Sequence, residues 1–349
     1  MGSSVRILPL WALMPALLSI ASGLEYKCEP GTGPTVCTIR CLLYSAAAVA
    51  KNGSLLPTVN LPETVHTVRL LYDLYYYRHQ ASIARYDMTL HTSVLHDPPN
   101  VQLEDTGMWE LVLPDNLQVG EFTNNAISSV VTNATKTYAV RYLDLSHNTL
   151  QSLTNLSMLV NLQSLNLESN LIRTIKPNVF ERMRNLTNLY LSNNNLETFD
   201  LRTLPKSLAV LWLMRNLLHE LPLTGVSLPA LTELDLESNS LTTLDLPALF
   251  TAFPALRRLL IGYNTFTKEE AERIIADLQR HSITYRVSVL ENENIQCNSD
   301  EYLVDKMCFE RNSFGSQSFA KALFLLMLAI LVVSVFGASV RWVWYEMRY

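Results

Sequence analysis

Apolar side chains in this chain follow two patterns. Between Val140 and Phe266 they recur at the first, fourth, sixth and eleventh places of a repeating frame, with asparagine at the ninth. The frame is filled from Val140, Leu162, Leu186, Leu208, Leu231 and Leu256. Its asparagines are Asn148, Asn170, Asn194, Asn216, Asn239 and Asn264, spaced 22 to 25 residues apart by subtraction. Apolar residues two apart, such as Leu143 and Leu145, predict one short strand per copy with both side chains inward. So short a strand has no core of its own, and the copies must stack to build one. The asparagine falls where the chain leaves the strand, where a buried side-chain amide can bond the unpaired backbone groups of the turn.

The second pattern is the unbroken apolar run. One spans 7–20, after Arg6 and before the small residues Ala21, Ser22 and Gly23, and predicts a secretory signal peptide over 1–23. The other, Ala322 to Val340, is uncharged and lies between Lys321 and Arg341. At helical rise it covers about 30 Å, the thickness of a bilayer core. Trp342, Trp344 and Tyr345 form an aromatic belt, and Arg341 and Arg348 place the tail over 341–349 on the cytoplasmic side. The two runs predict a single-pass type I protein of the plasma membrane, its ectodomain outside the cell. Ser313, Gly315 and Ser316 leave a glycolipid anchor signal open as the alternative.

The eleven-residue frame resembles that of extracellular leucine-rich repeat proteins. The resemblance implies an α/β solenoid, a horseshoe with a parallel concave sheet. With the cysteines it predicts disulfide-braced caps, and with the second apolar run one C-terminal transmembrane helix. The expected divisions are an N-terminal cap over 24–60 without repeat register, repeats over 61–266, a C-terminal cap over 267–310 and a stalk over 311–321. Within the repeats, 61–139 reads as degenerate and 140–266 as regular. Val65 to Asp73 and Met108 to Asn116 read as degenerate copies, and a further one hidden around Ile83 to Leu95 would bring the total to eight or nine. After Thr267, a good N-cap, 268–280 predicts a closing helix with Ile274, Ile275 and Leu278 inward.

Five cysteines flank the regular copies. Cys297 pairs naturally with Cys308, and one pair among Cys28, Cys37 and Cys41 leaves one thiol over. That thiol is either buried or the site of a disulfide-linked dimer or heteromer. Asn52, Asn133, Asn155 and Asn185 begin glycosylation sequons outside the predicted concave strands, so sugars would coat the back and edges.

A net charge of -5 supplies no basic field for a polyanion, which argues against nucleic acid as a partner. No nucleophile elbow, zinc spacing or phosphate loop is present, and His147 near Asp144 and Glu168 lacks a nucleophile or metal-ligand set. The expectation is therefore no enzyme, no cofactor and no metal site.

Residues alternating with the inward leucines face the concave side. The expected ligand-binding set is Tyr142, Asp144, Asn166, Glu168, Tyr190, Val210, Trp212, Met214, Glu233, Asp235, Glu237 and Arg258. Within it Tyr190, Val210, Trp212 and Met214 form an apolar island beside acidic Glu233, Asp235 and Glu237. Exposed Trp and Tyr dominate binding energetics at protein interfaces. Signal peptide, front cysteines, irregular early repeats, C-terminal cysteine pair and single span together resemble the membrane-anchored members of the insect leucine-rich immune proteins. That resemblance implies recognition of pathogen-associated or complement-like proteins at the cell surface, within a complex. The reading is a recognition receptor or co-receptor for an extracellular protein ligand, with cell or matrix adhesion as the alternative.

Overall fold

The structure, a computed structural model, describes residues 24–29, 33–46, 56–72, 83–285 and 296–311. The expected signal peptide, the sequon at Asn52, the span over 322–340 and the tail lie outside the described residues. Among the described residues, no helix is long and apolar enough to cross a membrane.

A short parallel pair, β1 (Glu25–Lys27) and β3 (Thr58–Asn60), sits at the front. One ten-stranded parallel ladder then carries the molecule. Its irregular half is β2 (Val36–Arg40), β4 (Thr67–Leu71), β6 (Asn100–Leu103) and β8 (Val119–Glu121). Its regular half is β10 (Tyr142–Asp144), β11 (Ser164–Asn166), β12 (Asn188–Tyr190), β13 (Val210–Trp212), β14 (Glu233–Asp235) and β15 (Arg258–Leu260). Behind the irregular half lies a second sheet of β5 (Arg85–Tyr86), β7 (Glu110–Val112) and β9 (Ser129–Val131). Behind the regular half the chain uses 3-10 turns at Thr154–Met158 and Leu201–Thr203, and a helix α1 (Leu246–Ala252).

In the regular half each strand buries its middle leucine completely, while its first residue stays half-exposed. The asparagines do what the frame predicts. Asn170 Oδ1 accepts from the Leu150 backbone N–H at 2.9 Å, and Nδ2 donates to the carbonyls of Leu145, Leu167 and Glu168 at 2.9, 3.1 and 3.2 Å. One buried amide thus ties two successive turns together. The residue before each asparagine, His147, Ser169, Asn193, Arg215, Ser238 and Tyr263, is left-handed, with φ between 53° and 55°. That conformation costs a non-glycine residue about 1 kcal/mol, and the asparagine bonds hold it in place.

The same turn extends the repeat register further toward the N-terminus than the sequence reading placed it. Cys41, Asp105 and Asn124 are left-handed in the same slot, with φ of 53°, 56° and 51°. Val36–Arg40 is therefore the first strand of the ladder rather than part of an unregistered cap. Strand β7, within the expected copy at Met108 to Asn116, belongs to the rear sheet instead. Ile83 to Leu95 is no hidden concave copy either: it supplies β5 and a π-helical turn, Thr89–Val94.

Besides β2, the missed strands are β6 and β8, and the ladder count is ten. Their frames are disguised. At 117–127 Gly120 takes the fourth place and Phe122 the sixth, both leucine in most regular copies, with Asn125 in the asparagine slot. A Cβ on Gly120 would stand 2.8 Å from the Phe122 ring and 3.1 Å from Leu143, so the large neighbour requires the small one. At 98–108 Thr106 replaces asparagine, and its N–H and hydroxyl both donate to Asn125 Oδ1, at 3.0 and 2.8 Å.

Both ends are closed. Cys28–Cys37 ties the front pair to β2, leaving Cys41 as the free thiol. At the back, Thr267 Oγ1 accepts from Glu270 N–H to cap α2 (Lys268–Arg280), which buries Ala271, Ile274, Ile275 and Leu278. Strands β16 (Glu301–Val304) and β17 (Met307–Glu310) form an antiparallel hairpin bridged by Cys297–Cys308. Tyr263 N–H donates to the Cys308 carbonyl at 2.7 Å, so the hairpin seals the last turn.

Candidate ligand-binding face

Strand pairing fixes the order of side chains on the concave face. The central row runs Thr38, Arg69, Gln102, Glu121, Asp144, Asn166, Tyr190, Trp212, Asp235, Leu260. Tyr142, Val210, Glu233 and Arg258 fall in the row two residues before it, with Asn188 between Tyr142 and Val210. Glu168, Met214 and Glu237 lie two residues beyond it.

At the centre of the regular half, the Tyr190 and Trp212 rings meet edge-on, centroids 4.8 Å apart and planes at 71°. Such a pair contributes about 0.5–1.5 kcal/mol beyond its burial. Both rings stay half-exposed, as do Val210 and Met214. Trp212 Nε1–H donates to Glu233 Oε1 at 2.8 Å, and Glu233 Oε2 lies 3.6 Å from Arg258 Nη1. The indole is therefore held in one orientation while the residue stays half-exposed, a preorganised contact whose rotamer entropy is already lost.

Three members of the expected set carry structural duties. Asp144 and Asn166 each accept from the backbone N–H two residues on, at 2.9 and 3.0 Å, and Asn166 Nδ2 donates to Asp144 Oδ2 at 3.0 Å. The Tyr142 hydroxyl donates to Asp144 Oδ2 at 3.4 Å, and burial with the Asp144 and Glu121 charges pushes its pKa up to about 12. Asp235 departs from expectation: it is only 6% exposed, set in the ladder between Trp212 and Leu260, and accepts from Glu237 N–H at 2.9 Å. It is a buried support beneath the face. Burial, partly offset by hydrogen bonding and Arg258, raises Asp235 to about 6, and burial with the Asp235 charge raises half-buried Glu237 to about 7.

Sequence reasoning missed the other half of the same row. Arg69, Gln102 and Glu121 face the same side, and a cavity of about 380 Å³ opens among them, with Glu104 and Thr123 in its wall. The period-two rule would have found them once Gly120 and Thr106 were accepted as repeat positions. Asn133, Asn155 and Asn185 are exposed and lie off the ladder strands. His147 is exposed in its left-handed turn. Cys297, Glu301 and Cys308 come together, but both sulfurs are consumed in the disulfide.

Family models described as leucine rich repeat match residues 160–204 and 230–252. Over 127 residues the chain is 36% identical to Leucine-rich repeat-containing G-protein coupled receptor 5 of Rattus norvegicus, covering 36% of this chain and 14% of that one. It is 38% identical over 116 residues to Podocan-like protein 1 of Mus musculus, covering 32% and 21%. With Leucine-rich repeats and immunoglobulin-like domains protein 1 of Homo sapiens it shares 30% over 135 residues, covering 37% and 12%. The chain thus spans about a fifth or less of these relatives' lengths. In structure it is similar to a chain of the LRIM1/APL1C complex, with a TM-score of 0.53 at 19% identity, over 88% of this chain and 60% of that one. Registered frames, a buried asparagine ladder and these matches make the chain a leucine-rich repeat protein.

Proposed function

We propose that this protein is a cell-surface recognition receptor or co-receptor that captures a protein ligand on its concave face, as part of innate immunity. The observation that carries the reading is the half-exposed Tyr190–Trp212 pair, oriented by Glu233 and bordered by Val210 and Met214. Anchored aromatics of this kind supply most of the energy at protein interfaces. Two relatives are named for receptor or immunoglobulin-like architecture and the structural neighbour is a protein complex, which supports partner binding. The immune role rests on the resemblance in cysteine placement and overall organisation.

The apolar run over 322–340 would anchor the protein in the plasma membrane as a type I span. Sugars on Asn133, Asn155 and Asn185 would leave the concave face bare. The half-exposed thiol of Cys41 supports a covalent link to that partner or to a second copy.

The test is capture of surface partners by the tagged full chain, run without reductant, against Trp212→Ala. Capture should fall at least about tenfold with the unfolding midpoint little changed. Unchanged capture by a folded variant would remove Trp212 as the anchor. Clustering of transfected cells without a captured partner would favour adhesion.

A further inference from the structure

We propose that the cavity framed by β4, β6 and β8 is a second binding subsite, and that it takes an extended polypeptide segment carrying one acidic and one basic side chain at alternate positions. The inference stands on residues of the irregular half and does not depend on the aromatic pair.

Arg69 is half-buried in the cavity wall. Its Nε–H donates to Gln102 Oε1 at 2.7 Å, which orients the guanidinium while its two terminal amino groups find no acceptor among the described residues. The same bond uses the Gln102 oxygen and leaves the amide nitrogen without a partner among the described residues. Next to Arg69 in the row, the Thr38 hydroxyl is 2% exposed and has no partner. Across the cavity and among the described residues, Glu121 has no side-chain hydrogen bond or ion pair, and Glu104 is held only through Oε1, by Asn124 Nδ2 at 2.7 Å.

One cavity thus holds a guanidinium and two carboxylates that do not close on each other, no ion pair forming within 4.0 Å. Keeping opposite charges partly desolvated and apart is costly unless something completes them. Donors line the β4 side and acceptors the β8 side. An oriented arrangement of this kind lowers the ordering cost of a ligand that matches it.

The spacing selects the ligand. Arg69 and Glu121 stand two strands apart, about 10 Å between backbones at the usual 4.8 Å spacing. A free amino acid carries its two charges on one carbon and cannot reach both. Side chains two apart on an extended chain emerge on one side about 7 Å apart, and flexible ends cover the remainder. A phosphate or lone carboxylate would meet Glu104 and Glu121, and a lone cation would meet Arg69.

The probe is a short fluorescent peptide of threonines with one aspartate and one lysine two positions apart, titrated into the purified full chain. Controls replace the lysine by aspartate or the aspartate by lysine. The mixed peptide should bind at least about tenfold more tightly than either control. Arg69→Ala and Glu121→Gln should each lose about tenfold, while the exchanged double variant Arg69→Glu with Glu121→Arg should recover binding, because the peptide can enter reversed. That recovery separates recognition from structural damage. Equal binding of all three peptides, or affinity indifferent to both single variants in folded protein, overturns the proposal. Trp212→Ala should leave peptide affinity within about twofold, so failure here and failure of the aromatic anchor are read separately.

Discussion

The two halves of the ladder solve one stacking problem with different backs. Behind β4 to β8 the chain returns through strands β5, β7 and β9, so front and rear repeat at the same spacing of about 4.8 Å. Equal spacing gives no wedge between successive turns there. Behind β10 to β15 the return uses 3-10 turns and α1, which need more room than a strand. The rear of these turns is therefore bulkier than the front. The aromatic pair sits on the half backed by helical turns and the polar cavity on the half backed by strands. One frame yields two surfaces because the unframed residues choose the back.

The strongest way to break this comparison is at one ladder position in each half. Leu143 and Gly120 are register partners in adjacent strands, both buried. Leu143→Ala opens a hole among fully buried neighbours and should cost about 3 kcal/mol. Gly120→Ala adds one carbon where the Phe122 ring stands 2.8 Å away, and should also destabilise, by about 1–3 kcal/mol. Denaturant midpoints measure both. If Gly120→Ala stabilised the fold, the irregular half would be loosely packed rather than closed by a different partition of volume.

That position also explains what the sequence made legible. The regular half follows from its pattern because leucine and asparagine fill every slot, and each slot has one physical role. The irregular half hides the same roles under substitutes: Gly120 and Phe122 share out two leucines, Thr106 stands for an asparagine, and Cys41 occupies a turn slot. A residue-type frame misses these, whereas a backbone frame finds them at once through the left-handed turn. Asp235 misled for a related reason. Alternation tells which side a residue faces, but its two row neighbours, Trp212 and Leu260, decide whether it reaches solvent.

Acidification sharpens the contrast, because the halves respond with opposite sign. In the irregular half His91 is fully buried, its Nδ1 bonded to the Tyr86 hydroxyl at 2.8 Å and Nε2 to Asn116 Oδ1 at 2.9 Å. Burial lowers its pKa below 6.5, although Asn116 and the Asp97 and Asp115 charges pull the other way. The unfolded chain then binds the proton more readily, so stability is full above about 6.5 and falls as pH drops toward the folded value. Asp235 and Glu237 are raised, to about 6 and about 7, so the folded chain holds their protons more tightly. Their contribution is present at low pH and lost as pH rises through those values. Between pH 7 and pH 5, hydrogen exchange corrected for intrinsic rates should show segments around His91 opening more and segments around Asp235 opening less. Shifts of one sign in both halves would defeat this account.

The smallest effect tests whether the halves share one turn. Arg215 and Asp105 are exposed, left-handed, and make no side-chain hydrogen bond among the described residues. Glycine accepts that conformation without the Cβ cost, though it raises unfolded-chain entropy. Arg215→Gly should therefore stabilise by less than about 1 kcal/mol. Asp105→Gly should stabilise slightly more, because the substitution also removes a carboxylate whose pKa is raised by burial and by the Glu104 charge. Both are measured as thermal midpoints. If Arg215→Gly stabilises while Asp105→Gly destabilises, the early turn only imitates the later ones in its dihedral angle. The repeat would then begin where the asparagines become regular, and β2 to β6 would be a separate device that pairs with it.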